Sequence, residues 1–204
     1  MKKITPRFFA MLAFACSVLL TGCTAGPQST ALFDLGPLQA QASAATETQL
    51  PAISIAEIRA PAWLDSQMMF YRLNYANNQQ PRAYAASKWT MAPAQLFQQR
   101  LKSRLSQAGG IVVPASDGAA TLPVLRIEAD DFSQVFDSAN QSSAHIAMRA
   151  SLFDGRTLRA QKMFVKQLPA ASADAQGGAA ALATASDAII NEMAVWLAIL
   201  PSKK

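Results

Sequence analysis

The first 23 residues decide how the rest of this chain must be held together. Lys2, Lys3 and Arg7 form a basic start, residues 8–20 are an apolar run of 13, and Leu20-Thr21-Gly22-Cys23 closes it. Such a run is too short to span a bilayer and matches the apolar core of a secretory signal. Its last four residues read as a lipobox: the small Gly22 admits a peptidase, and Cys23 takes a diacylglyceryl group through its thiolate before becoming a new N-terminus. Residues 1–22 are therefore expected to leave and to take Cys16 with them. Cys23 is spent on lipid, and the chain has only 2 cysteines. The remaining protein then has no disulfide, although its compartment is oxidising. Residues 23–204 must fold on packing alone, and they are enough for one substantial core.

Thr24 follows the anchor cysteine where aspartate would favour retention in the inner membrane, so the expected location is the outer membrane, facing the periplasm. Each buried acyl CH₂ contributes about 0.8 kcal/mol to that anchorage. Charge changes with cleavage. The full chain has 18 Lys+Arg against 13 Asp+Glu, and losing Lys2, Lys3 and Arg7 brings its net charge from +5 to +2. A body this close to neutral, without a Lys/Arg cluster interleaved with aromatics, gives no footprint for nucleic acid.

Residues 24–30 are small, polar and Pro/Gly-containing, a tether. Eight extended steps from Cys23 to Ala31 reach at most roughly 26–29 Å at about 3.3–3.6 Å per residue. The periodic sequence starts at residues 31–35, a first strand stopped by Gly36-Pro37, and the Ala/Ser/Thr/Gln-rich residues 39–49 read as a loop. Residues 52–58 alternate through Ile53 and Ile55 and end at Pro61. Residues 68–73 form a second strand, with Met68, Phe70 and Arg72 on one side and Met69, Tyr71 and Leu73 on the other. The polar stretch 74–82 reads as an insert. Pro93 opens a helix with Leu96, Phe97, Leu101, Leu105 and Ala108 on one face and Gln98, Gln99, Lys102, Arg104 and Gln107 on the others, stopped by Gly109-Gly110. Residues 111–113, 122–132 and 145–153 alternate as strands. Asp154-Gly155 turns the last of these back into residues 158–167. A loop is expected over 169–178. Leu182, Ile189, Ile190, Met193, Trp196, Leu197 and Leu200 then mark an amphipathic helix ended by Pro201. Strands interleaved with two main helices indicate an α/β domain.

The ingredients of catalysis are sparse. There is 1 histidine, His145, no free thiol after lipidation, and no His/Cys/Asp/Glu spacing of the metal-site kind. Asp130 and Asp131 would point to opposite faces of a strand, which spoils an acid/base pair. No Gly-x-Ser-x-Gly elbow accompanies His145. The reading is a non-enzymatic protein with no cofactor. Trp63, Tyr71, Tyr75, Tyr84 and Trp89 cluster around the polar insert. They form either a contact surface, which Arg72 would join, or core packing, and Trp89, just ahead of an amphipathic helix, reads as core.

The order of these pieces resembles the ABC-type transport auxiliary lipoprotein family. Leu64-Asp65 followed by Tyr71-Arg72 is similar to that family's leucine-aspartate and tyrosine-arginine signature, and Trp89 occupies its tryptophan. Thr90-Met91 stand where relatives often carry a small residue and a glutamate. The resemblance implies a three-layer α/β domain with a mixed β-sheet, like the N-terminal domain of the Tol system's propeller protein. It also implies an outer-membrane partner for a mammalian-cell-entry (MCE) domain protein with its permease and ATPase, moving phospholipid between membranes, and a ring-forming homo-oligomer. A lipoprotein regulator of a periplasmic cell-wall synthase is the alternative, since such activators resemble the same folds. The expected organisation is a signal peptide over 1–22, a lipidated tether over 23–30, the family domain over 31–200 and a tail over 201–204.

Overall fold

A computed structural model describes residues 29–38, 50–119 and 121–200, so the lipobox Leu20, Thr21, Gly22 and Cys23, most of the tether, the 39–49 segment and the tail lie outside the described residues. The strands are β1 (Ala31–Phe33), β2 (Ile53–Ile55), β3 (Met68–Leu73), β4 (Asn77–Trp89), β5 (Val112–Pro114), β6 (Val124–Ser138), β7 (Gln141–Asp154) and β8 (Thr157–Pro169). The helices are α1 (Pro93–Gln107) and α2 (Ala175–Ile199). All eight strands join one mixed sheet.

Three long antiparallel strands, β6, β7 and β8, form its trunk. On the far side of β6 the sheet forks. β2 pairs in parallel at Val124 and Leu125 and continues to β5, while β3 pairs in parallel at 134–136 and continues to β4 and β1. Alternation builds the buried face: Leu125, Ile127 and Ala129 stand opposite Leu152, Ala150 and Met148, all buried. A bulge then places Asp131 opposite Ala147, directly after the Ala129–Met148 pair. The extra residue shifts the period by one, and Phe132, Gln134 and Phe136 take over the inward positions. The β7–β8 loop begins at Gly155, whose φ of +57° suits glycine, with Asp154 paired to Thr157.

Helix α1 begins at Pro93 and buries Leu96, Phe97, Leu101 and Leu105 as its period predicts. It ends where Gly109 turns left-handed (φ +82°): the N–H groups of Gly109 and Gly110 return to the carbonyls of Ser106 and Leu105, satisfying two orphan acceptors. Arg104 corrects the sequence reading. It lies inside, with Arg100, rather than on the solvent face.

Two further departures concern element boundaries. Residues 77–82, read as an insert, are the exposed arm of β4. Pro81 is tolerated there because β1 covers only the far end of β4, at 87–89, leaving the edge free. The expected loop over 169–178 is shorter, because α2 already starts at Ala175. Asp174 caps it, Oδ1 accepting from the Gly177 N–H at 2.8 Å. Gly177 and Gly178 therefore lie in its first turn, where a Cβ on Gly178 would collide with the buried Gln134 side chain. Alanine would gain up to about 1 kcal/mol of helix propensity, against about 1–3 kcal/mol for overpacking. Gly178→Ala is thus expected to lower the thermal midpoint, and a raised midpoint would show that Gln134 yields freely.

Both helices share one face of the sheet. Trp196 of α2 meets Phe164 edge-on at 5.7 Å, and Lys162 and Lys166 of β8 reach Glu192 at 3.1 and 3.6 Å. Between the helices, Arg100 and Arg104 of α1 both grip Asp187 of α2, at 2.7 and 3.1 Å. The core between helices and sheet includes Trp89, Phe97, Phe132 and Phe164, so Trp89 is core. This is the expected α/β architecture with a mixed sheet and two main helices. Of the three layers implied, the third amounts among the described residues to the 59–63 segment beside β6. Elsewhere the outer face is open, and Leu158, Met163 and Val165 of β8 are about half exposed, at 49, 46 and 53%.

Candidate functional site

The candidate surface residues divide between the two faces of β3, because neighbours on a strand alternate. Trp63 and Arg72 come together on the open face. The Arg72 guanidinium lies 5.3 Å from the Trp63 ring centroid, and Phe70 meets the same ring edge-on at 5.1 Å. Tyr71 and Tyr84 come together on the helix-bearing face, their rings 4.7 Å apart with Phe136 behind Tyr71 at 5.6 Å. The Tyr84 hydroxyl donates to Gln134 Oε1 at 2.8 Å, and Gln134 Nε2 donates to Ser142 at 2.8 Å. Burial, helped by Tyr71 and Asp174 nearby, pushes the Tyr84 hydroxyl well above the ordinary tyrosine range, so it stays a neutral donor. Tyr75, 54% exposed, lies between β3 and β4, apart from both pairs.

On the open face the bulge changes the local chemistry. Asp130 and Asp131, which plain alternation would set on opposite faces, both find partners on this one. Asp130 Oδ2 lies 3.6 Å from Arg149, and Asp131 Oδ2 lies 3.5 Å from Arg72 and 3.7 Å from His145 Nδ1. Burial alone would raise the Asp131 carboxyl. Hydrogen bonds from His145 and Ser133 and the charge of Arg72 outweigh it and hold the group below the ordinary carboxylate range. The Ser133 hydroxyl donates to Asp131 Oδ1 at 2.7 Å, not to His145, and Ser133 is buried. Serine, histidine and aspartate are therefore neighbours without the proton relay of a hydrolase, which needs the hydroxyl on the imidazole. Among the described residues no group of three or more His, Cys, Asp or Glu side chains could hold a metal ion.

Beside this cluster a cleft of about 470 Å³ opens between the 59–63 segment and β6–β7, lined by Arg59, Pro61, Trp63, Glu128, Asp130 and Arg149 among others. A single parallel bridge between Arg59 and Glu128 fixes its floor, through the Arg59 N–H to Ile127 and the Ala129 N–H to Arg59. Sequence reading missed Arg59, Glu128 and Arg149. The usable signal was the slip of the alternating pattern after Ile55, which marks the chain leaving the sheet.

The model of the ABC-type transport auxiliary lipoprotein component family matches residues 33–194. No curated protein matches the chain. Among solved structures it is similar to protein XCC0632 from Xanthomonas campestris, of the DUF330 family, at 19% identity and a TM-score of 0.66, over 84% of this chain and 94% of that one. An uncharacterized protein is similar at 16% identity and a TM-score of 0.65, over 83% of this chain and 99% of that one. Both likenesses concern the fold.

Proposed function

The chain belongs to the ABC-type transport auxiliary lipoprotein family, and from that premise we propose that it is the non-enzymatic outer-membrane component of an MCE-type system carrying phospholipid between the two membranes. The observation that carries this reading is the succession of a lipobox ending at Cys23, a tether over 23–30 and a family match that begins at residue 33. Cys23 holds the acyl chains in the outer membrane. The tether keeps the domain within roughly 30 Å of that surface, because eight residues reach no farther. The domain meets the periplasmic end of an MCE-domain protein, which works with its permease and ATPase. Several copies form a ring, and a body near neutrality lets copies pack side by side without long-range repulsion.

Cys23→Ser is expected to abolish labelling by a fatty-acid analogue while leaving the fold intact; a labelled variant would remove the anchor. Full-length lipidated protein, purified in dodecyl maltoside, should sediment as an oligomer and capture the MCE protein encoded beside it. A monomer removes the ring. Failure to capture removes the transport reading and turns attention to cell-wall synthases, although the short tether makes a reach across peptidoglycan difficult.

A further inference from the structure

The lining of the open-face cleft holds charges of both signs in an unequal arrangement. Arg149 is shared by two carboxylates, Glu128 at 3.4 Å and Asp130 at 3.6 Å, which leaves one negative charge in excess at that end. Arg59 is exposed and makes no ion pair among the described residues. Its backbone is bridged to Glu128, so Arg59 lines the same cleft as the surplus carboxylate. Pro61 and the half-buried Trp63 supply an apolar wall, and Trp63 is itself fixed by Arg72 and Phe70.

We propose that this cleft binds a zwitterionic phosphoester headgroup, a phosphate anion and an ammonium cation joined by a short alkyl link. The phosphate takes the guanidinium of Arg59, whose planar fork suits phosphate oxygens. The ammonium takes the end where Glu128 and Asp130 share one arginine, with the alkyl link against Pro61 and Trp63. An anionic headgroup satisfies Arg59 but meets the surplus carboxylate, so a cleft that offers both a cation and an excess carboxylate selects for the zwitterion. The cleft has volume for a headgroup and not for acyl chains, which would remain outside it in the membrane or another protein. This assignment rests on the transport reading and names the chemistry of its cargo.

The test uses the full lipidated chain in dodecyl maltoside, titrated calorimetrically with soluble glycerophosphoethanolamine, then with glycerophosphoglycerol, and with diheptanoyl phosphatidylethanolamine doped into the micelle. Saturable binding of glycerophosphoethanolamine is expected, weakened about tenfold by Arg59→Ala, as for loss of one charge-assisted contact. The double variant Glu128→Gln/Asp130→Asn should weaken it comparably, and Lys162→Ala, on the other face, should not. Tighter binding of the doped lipid identifies the source as membrane lipid, and binding of the soluble ester alone identifies a free metabolite. Equal binding of glycerophosphoglycerol, or indifference to both variants, overturns the proposal. Capture of the MCE protein, measured on the same preparations, separates the two failures: capture without headgroup binding sinks only this site, and headgroup binding without capture sinks the transport reading.

Discussion

Asp187→Ala is expected to cost about 3–5 kcal/mol, the scale for removing one partner from a buried ionic cluster. Arg100 and Arg104 have side chains only 7 and 6% exposed, and both direct their guanidinium groups at this one carboxylate. Arg100 makes a forked pair, Nε to Oδ1 and Nη2 to Oδ2, each 2.7 Å, and Arg104 approaches at 3.2 and 3.1 Å. Without Asp187 two buried cations remain beside each other. The same geometry fixes the response to acid. Burial raises the Asp187 carboxyl, but the hydrogen bonds and charges of the two arginines outweigh that and hold it below its unfolded value. Its stabilisation is then complete at neutral pH and is lost as pH falls from about 4 through the lower folded value. Urea denaturation across pH 3–7 should show a steep acid limb that flattens in Asp187→Ala. A loss under about 1 kcal/mol at neutral pH would show that the cluster is solvated in solution.

Leu197→Ala should cost about 2–5 kcal/mol. Leu197 is 1% exposed and packs at the end of α2 near Leu105 of α1, Ile53 of β2 and Val112 of β5, so its removal leaves a void where helices and sheet meet. The measurement also decides what α2 is. By length and composition its 25 residues could cross a bilayer. Ile189, Ile190, Met193 and Leu197 are nevertheless buried against the protein, while Asp187 and Glu192 hold ion pairs. Equal thermal midpoints for Leu197→Ala and the parent chain would mean that the apolar stripe faces something other than this core.

Elements whose side chains pay out locally were legible in the sequence, and those defined by distant partners were not. β3, α1 and the β7–β8 hairpin follow from alternation, a proline start and a glycine turn, each written within a dozen residues. The exposed arm of β4 has no apolar alternation, since Asn77 to Gln80 are exposed; it is held by the Leu73–Asn77 and Tyr71–Arg82 pairs at its ends and by polar contacts such as Arg72 to the Asn78 carbonyl and Arg82 to Gln80, which alternation does not announce. The start of α2 looks like a loop because Gly177 and Gly178 answer to Ser172 and Gln134 rather than to helix propensity, although Asp174 three residues before Gly177 was a readable cap. Arg104 defeats the period altogether: nothing near it in sequence announces Asp187, 83 residues on. The open-face cleft was hidden for a similar reason. The bulge at Asp130 that turns two carboxylates to one face is a register property of β6 against β7, and Arg59 arrives from another part of the chain.

Arg100 has one further pair of contacts. Its Nη1 donates to the carbonyls of Leu35 and Gly36, at 2.8 and 3.0 Å, just after β1. On the proposed anchorage at Cys23, a tug between membrane and domain would enter through β1, three residues lying parallel to β4 and extended by the Thr90 N–H on the Phe33 carbonyl. Tension along that strand loads its hydrogen bonds in shear, all at once, and whatever they transmit is taken up next by a guanidinium already braced on both helices. The chain just after β1 is thus moored to the helical layer and not merely to the rim of the sheet, so a pull from the proposed anchor would pass from Leu35 into both helices.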